Sequence, residues 1–312
     1  MTDSTTKNTP PLGAGGLRVT QIQMDIRWGD IAANCAEASR LIDSAPGSDL
    51  YVLPEMFSTG FATEPKGIAD DSLQTLKWMQ QKANAINAAI CGSVATADPT
   101  LTLSQGEGKI RYYNRLYFVT PQHNKTIPPS GDRELSFYDK HHLFTYGNEH
   151  LRYTAGKDRV IVEWRGVRFL LQICYDLRFP VFSRNVPRPT DKVYPQSAYE
   201  DYQKSTPFGG WGAIIYVASW PTSRIEPWRA LLKARAIENQ CYVLGVDRVG
   251  EDPACSYCGG TECIDPYGKV IAACPDNQIT TITTTLDMED LQRFRQKFPV
   301  LSDADAFTMH NA

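Results

Sequence analysis

Three short stretches carry residues whose types could work together on a poorly reactive carbonyl. The apolar run Phe169-Leu170-Leu171-Gln172-Ile173 ends in Cys174 and turns polar at once through Tyr175-Asp176-Leu177-Arg178. A run this short, bounded by Arg165-Gly166, suits a buried strand better than a helix. A cysteine at the carboxyl end of such a strand lies where open α/β sheets place their chemistry. Leu50-Tyr51-Val52-Leu53-Pro54 closes in the same way on Glu55, because Pro54 cannot donate to a sheet ladder. A third strand, 135–140, ends on Lys140, whose charge would lower the pKa of a nearby thiol and stabilise an oxyanion. Taken singly, each residue has an ordinary role: a small core thiol, a solvated glutamate, a surface lysine. Taken together they would form a nucleophile, its base and its electrostatic partner.

Other clusters suggest different chemistry and lack the spacing for it. His141, His142 and His150 have no partner at a zinc-type interval, and adjacent His141 and His142 must point in different directions along a strand. Cys255, Cys258 and Cys263 lack a fourth ligand at paired spacing and are not set in a thioredoxin-like strand and helix. No metal is expected.

The elements that would position the three groups alternate. Strands are expected at 17–24, 50–55, 89–94 and 116–120, with helices at 31–42, capped by Asp30, and 73–88; this is an α/β layer pattern. A hairpin 160–173 delivers Cys174, and a short helix 179–185 is expected just after it, its amino end lowering the thiol pKa. A strand at 213–219, a helix at 227–239, a strand at 241–247, a Gly-rich loop, a hairpin 262–273, a strand at 280–286 and a helix at 288–297 complete the pattern.

With 312 residues, 42% hydrophobic and 21% charged, the chain resembles a globular enzyme or binding protein with an extensive core. Its net charge of −3 gives no nucleic-acid footprint. Eight cysteines spread through apolar runs do not read as a disulfide framework and suit a reducing cytoplasm. No run reaches the roughly 18 apolar residues of a membrane span, and residues 1–16 read as a disordered tail ahead of one domain over 17–312.

Leu53-Pro54-Glu55-Met56-Phe57, Tyr138-Asp139-Lys140-His141-His142-Leu143-Phe144 and Cys174-Tyr175-Asp176-Leu177-Arg178-Phe179-Pro180 occur in the order seen in the nitrilase superfamily of carbon–nitrogen hydrolases. The resemblance spans about 17–307. The stretches Glu55-Met56-Phe57-Ser58-Thr59-Gly60-Phe61, 147–150 and Ala234-Arg235-Ala236-Ile237-Glu238-Asn239-Gln240 are similar to the omega-amidase branch in particular. It implies a four-layer α-β-β-α sandwich, a homodimer or higher homo-oligomer, and no cofactor. It also implies a Glu55-Lys140-Cys174 triad with Glu149 as a fourth participant, Lys140 and the Tyr175 N–H holding the oxyanion.

The implied substrates are keto-acid amides such as 2-oxoglutaramate and 2-oxosuccinamate, cleaved through a cysteine thioester. An arginine fork would hold the far carboxylate. Arg178 and Arg224 are the candidates, with an ion pair of Arg178 to Asp176 or Glu238 as the structural alternative. Trp220, Phe61 and Tyr146 are candidate pocket walls. The stretch 187–210 departs from omega-amidases as an insertion, read as a lid, a subunit contact or plain surface. A nitrilase, aliphatic amidase or carbamoylase remains an alternative, as does a non-catalytic binding protein on the same fold.

Overall fold

A computed structural model describes residues 16–98, 110–122, 135–185 and 210–305. The tail, most of the 98–109 link and, but for Gly210, the 187–210 insertion lie outside these residues.

Two six-stranded sheets stack face to face. The first contains β1 (Leu17–Gln23), β2 (Leu50–Val52), β3 (Ala89–Asp98), β4 (Arg111–Val119), β5 (Leu135–Asp139) and β14 (Thr280–Leu286), in the order β14-β1-β2-β3-β4-β5. The second contains β6 (Ile161–Trp164), β7 (Val167–Ile173), β8 (Ala213–Ala218), β9 (Tyr242–Asp247), β12 (Glu262–Ile264) and β13 (Val270–Ala273), ordered β13-β12-β9-β8-β7-β6. A separate two-stranded ladder pairs β10 (Val249–Glu251) with β11 (Ser256–Cys258).

The period-2 alternation of strands decides which residues meet which layer. Leu17, Val19, Leu50, Val52, Cys91, Leu116 and Phe118 face the second sheet, with Phe118 6.1 Å from Phe169. Their neighbours Ile22, Tyr51, Ile90 and Tyr117 face the other way, onto α1 (Ile31–Ser44) and α2 (Gln74–Ile86). On the outer face of the second sheet, α3 (Ile225–Asn239) buries Trp228, Leu232 and Ala236, and α4 (Met288–Lys297) follows β14. The result is the α-β-β-α sandwich. Gln21 ties the sheets together where they meet, its amide donating to the carbonyls of Gly245 and Glu262 at 3.0 and 2.9 Å. Among the described residues no helix is long and apolar enough to cross a membrane.

Strands β1, β2 and β3 run parallel, as do β7, β8 and β9. Antiparallel β4 returns the chain so that β5 again points the same way as β3. Glu55, Lys140, Cys174 and Ser219 therefore all follow carboxyl ends of strands.

Several elements differ from expectation. β3 and β4 are longer than predicted, running to Asp98 and starting at Arg111, because they pair antiparallel over nine rungs. The helix predicted at 179–185 is absent. A 3-10 turn, Cys174–Arg178, starts on the cysteine itself, and Pro180 falls in a separate turn after it. Asp176 explains the shift: its Oδ2 accepts the Ile173 N–H at 2.9 Å, which closes the turn directly on the strand end. The Gly-rich loop expected around Cys255 and Cys258 is the β10–β11 ladder.

Candidate active site

The sequence Leu53-Pro54-Glu55 leaves β2 and enters a tight turn whose entry is set by β3. Met56 takes a positive φ of 46°, its N–H donates to Ser93 Oγ at 2.9 Å, and the Phe57 N–H donates to the Ser93 carbonyl at 3.2 Å. Gly92 makes this approach possible, since a Cβ there would stand 2.9 Å from Leu53 Cβ and 3.0 Å from the Phe57 ring. The turn drives the Glu55 side chain inward, where it is fully buried.

Every oxygen of Glu55 is assigned. Oε1 accepts from Lys140 Nζ at 2.9 Å and from Asn114 Nδ2 at 2.7 Å, and Oε2 accepts the Ser219 N–H at 2.8 Å. The Ser219 hydroxyl donates to the Glu55 carbonyl at 3.2 Å, which fixes the turn to the end of β8. Lys140 is 1% exposed and also donates to Glu149 Oε2 at 2.9 Å and Oε1 at 3.2 Å. Glu149 in turn accepts the Phe144 N–H at 2.6 Å and Asn114 Nδ2 at 3.1 Å. Asn114 can serve both carboxylates because its Oδ1 is occupied by the Ser93 hydroxyl, at 2.9 Å, leaving only the amide nitrogen to face them. Phe61 covers the ammonium, its ring centre 5.2 Å from Nζ.

Cys174 stands at the strand end with a positive φ of 43°, a conformation that costs a non-glycine residue about 1–3 kcal/mol. Asp176 supports it from below. Its fully buried carboxylate accepts from the Ile173 N–H, the Tyr138 hydroxyl at 2.8 Å, and the His142 N–H and ring Nδ1 at 3.0 and 2.8 Å. The His142 ring is stacked on Phe179, centroids 3.8 Å apart. His142 thus braces the cysteine turn from behind, while the His141 ring turns to the Gly156 carbonyl and stacks on Phe182. Among the described residues no three His, Cys, Asp or Glu side chains gather to hold a metal ion.

The electrostatics reverse one expectation. Burial pushes the Cys174 thiol well above its ordinary pKa, and the Glu55 carboxylate adds to that; Lys140 acts in the opposite direction and is outweighed. The expected lowering of the thiol pKa is therefore replaced by a shift in the upward direction, to which the hydrogen bond with Glu55 contributes. The geometry gives the reason: the thiol is buried beside Glu55, and the one ammonium, Lys140, is shared between Glu55 and Glu149. Burial alone would pull Lys140 down, but Glu149 and Glu55 raise it and keep it protonated. Glu149 is raised by burial and by Glu55, against the pull of Lys140. Such a site ionises the thiol only as its proton passes to a base.

A small cleft, open to solvent, leads to Cys174. Phe61, Phe144, Tyr175, Trp220 and Tyr257 form apolar walls, and Arg178, Arg224 and Cys255 lie among them. The Arg178 guanidinium lies 5.0 Å from the Trp220 ring centre, and that of Arg224 5.5 Å from Phe144. Among the described residues no carboxylate pairs with either arginine. The alternative ion pair for Arg178 is absent, since Asp176 is held by Tyr138 and His142 and Glu238 by Arg235 at 3.0 Å. Tyr146 is 83% exposed and stands outside the cleft wall, its ring 5.8 Å from Phe144. Its exposure follows from the 3-10 turn Thr145–Gly147, which buries none of its residues.

The structure thus brings together Glu55, Lys140, Glu149 and Cys174, with Phe61, Tyr175, Arg178, Trp220 and Arg224 around the cleft. Sequence reasoning did not single out Asn114, Ser93 or Ser219. Asn114 sits among Arg111-Tyr112-Tyr113 and Arg115, a run with no apolar periodicity, and only the strand pairing reveals its direction.

Residues 18–296 match the family model described as carbon-nitrogen hydrolase. The chain is 41% identical over 295 residues to omega-amidase YafV of Escherichia coli K12, covering 94% of this chain and 99% of that one. It is 28% identical to 2-oxoglutaramate amidase of Bacillus subtilis over 91% of this chain and 96% of the relative. Among solved structures, XC1258 from Xanthomonas campestris, described as a CN-hydrolase superfamily protein with an arsenic adduct in the active site, superposes with a TM-score of 0.79 at 36% identity. That match covers 95% of this chain and 99% of that one.

Proposed function

The chain belongs to the carbon–nitrogen hydrolase family, and on that premise we propose that it is an omega-amidase that hydrolyses the distal amide of keto-acid amides of the 2-oxoglutaramate and 2-oxosuccinamate type. The observation that carries this reading is the buried Glu55-Lys140-Glu149 cluster behind Cys174, placed under a small cleft lined by two arginines with no acidic partner among the described residues.

A primary amide is a weak electrophile, so the site must supply both a nucleophile and a place for developing negative charge. Cys174 Sγ attacks the amide carbon while its proton passes to Glu55. The oxyanion is held by the Lys140 ammonium and by the Tyr175 N–H, which lies in the first turn of the 3-10 helix and so has no intrahelical acceptor. Collapse breaks the C–N bond, Glu55 returns the proton to the departing nitrogen, and ammonia leaves a thioester. Glu55 then deprotonates water, which attacks the thioester, releases the dicarboxylate and restores the thiol. Because Lys140 stays charged between two carboxylates, it acts as an electrostatic group. Glu149 holds it in place.

The far carboxylate of the substrate falls to Arg178, Arg224 or both. Each guanidinium lies against an aromatic ring, an arrangement that leaves its edge N–H groups available for a carboxylate. The same kinship supports pairing of two chains into a homodimer, a matter for sedimentation.

The deciding experiment is ammonia release from 2-oxoglutaramate and 2-oxosuccinamate beside an aliphatic amide and a nitrile, with native protein and Cys174→Ala. Release from a keto-acid amide that is lost in the variant is expected. Turnover of the nitrile or aliphatic amide alone would move the assignment to another branch.

A further inference from the structure

Asp247 closes β9 at the edge where the catalytic groups emerge, paired with Ala218, the last rung of β8. Beyond that rung its side chain takes over from the ladder. Oδ1 accepts the Trp220 N–H at 2.8 Å and the Arg248 N–H at 2.9 Å. Thr261 fixes the residue itself, its hydroxyl accepting the Asp247 N–H and donating to the Asp247 carbonyl, both at 3.0 Å. The neighbouring N–H, that of Ser219, is the one that holds Glu55 Oε2. Two successive peptides of one turn are therefore pinned, one to Glu55 and one to Asp247, and the second carries the Trp220 cleft wall.

The other carboxyl oxygen, Oδ2, is buried and has no hydrogen-bond partner among the described residues, on a side chain that is fully buried. The titratable and charged groups that face it are Glu55, Cys174, Cys258 and Arg248. Arg248 favours the ionised form through its charge but makes no hydrogen bond to Oδ2: Nη2 goes to Asp25 and to the carbonyls of Ile26 and Glu251, Nε goes to the Val249 carbonyl, and Nη1, also buried, has no partner among the described residues. An ionised carboxylate with a bare buried oxygen is the costly state; the neutral acid leaves only one O–H without an acceptor, a smaller cost than a buried charge, and keeps Oδ1 as the acceptor of the two N–H groups.

We propose that Asp247 is a positioning residue of this site that works as a neutral carboxylic acid, an amide-like acceptor fixing the Ser219–Trp220 turn and, through it, the aim of Glu55 and the position of Trp220. Burial also pushes its carboxyl well above the usual range, with Glu55 adding to it, against the opposing hydrogen bonds from Trp220 and Arg248. The role rests on the amidase reading; the protonation state does not.

Two measurements need no substrate. Above about pH 4 an unfolded aspartate releases its proton, while the folded residue keeps it, so the native chain loses stability with rising pH that Asp247→Asn does not lose. The thermal midpoint of Asp247→Asn relative to native should therefore climb by about 5 °C or more between pH 4 and pH 8. A difference that stays flat would overturn the proposal. The pH midpoint for alkylation of Cys174 by iodoacetamide should coincide in the two proteins to about 0.3 unit; a lower midpoint in the variant would mean that a negative charge had been removed, and would overturn it as well.

With a keto-acid amide as substrate, Asp247→Leu, which has no acceptor, should lose more than about tenfold in kcat and also raise KM, since both Glu55 and the Trp220 wall are freed, and Asp247→Asn should restore at least roughly a third of native kcat and a near-native KM. Equal activity of Leu and Asn variants would refute the positioning role. If Asp247→Leu does not fold, the two Asn measurements decide. If no keto-acid amide is turned over, the substrate-free arms still decide the protonation state, so the two failures are separable.

Discussion

Asn114 lies behind the reacting atoms and organises both carboxylates. Its single amide nitrogen joins Glu55 and Glu149 at 2.7 and 3.1 Å, and the Ser93 hydroxyl fixes its orientation. Asn114→Ala removes one donor from each buried carboxylate, a loss of about 1–3 kcal/mol. Part of that falls on the aim of Glu55. The expected outcome is a fall in kcat of roughly 10- to 100-fold, with a smaller change in KM, measured as ammonia release from a keto-acid amide. Activity within about threefold of native would show that Lys140 alone orders the pair. Glu55, Lys140 and Cys174 were legible in the sequence because each ends an apolar run, and Glu149 through resemblance. Asn114 was not, since its role depends on a strand pairing between residues far apart in the chain. Ser219 contributes a backbone N–H, which no side-chain pattern can signal.

The cysteine turn depends on one element end rather than on a helix. The sequence suggested a helix over 179–185 with its positive end toward the thiol, but Asp176 closes a 3-10 turn on the strand end, and Pro180 belongs to a second, separate turn. The carboxylate of Asp176 joins β7 to β5 and to the segment after it by accepting from Ile173, Tyr138 and His142. Asp176→Ala leaves the buried Ile173 N–H and Tyr138 hydroxyl without that acceptor and frees the strained Cys174 backbone to relax. A loss of about 3 kcal/mol in stability is expected, read as a lower urea midpoint at unchanged slope, together with loss of amidase activity. A shift under about 1 kcal/mol would show that the turn holds its shape without this carboxylate. The β10–β11 ladder escaped notice for a different reason. Its strands have three residues each, too short to display a period.

At the scale of the whole molecule, the layered core carries a pH dependence of its own. The alternating pattern that marked the layers in the sequence also directs cysteines inward. Cys35, Cys241, Cys263 and Cys274 are pushed up to about 12, each chiefly by burial, and burial also raises Cys91 well above its ordinary value. In the unfolded chain each would titrate near 9.0. A group whose folded pKa is raised gives stability that is complete below its unfolded pKa and is lost as pH rises toward the folded one. Between pH 9 and 10 the unfolded state therefore gains a proton-release term the folded state lacks, about 1.4 kcal/mol per thiol for each further pH unit. Several thiols acting together amount to a large part of a typical stability of roughly 5–15 kcal/mol. Tyrosine and lysine have ordinary values of 10.0 and 10.5, so thiols dominate this window. The urea midpoint is expected to hold steady up to about pH 8.5 and fall steeply by about pH 10. In Cys91→Ala the midpoint starts lower, because of the cavity, and falls less steeply with pH, because one titrating group is gone. Parallel slopes for the two proteins would mean that this thiol already ionises in the folded core, and that the space between the sheets is wetter than its packing indicates.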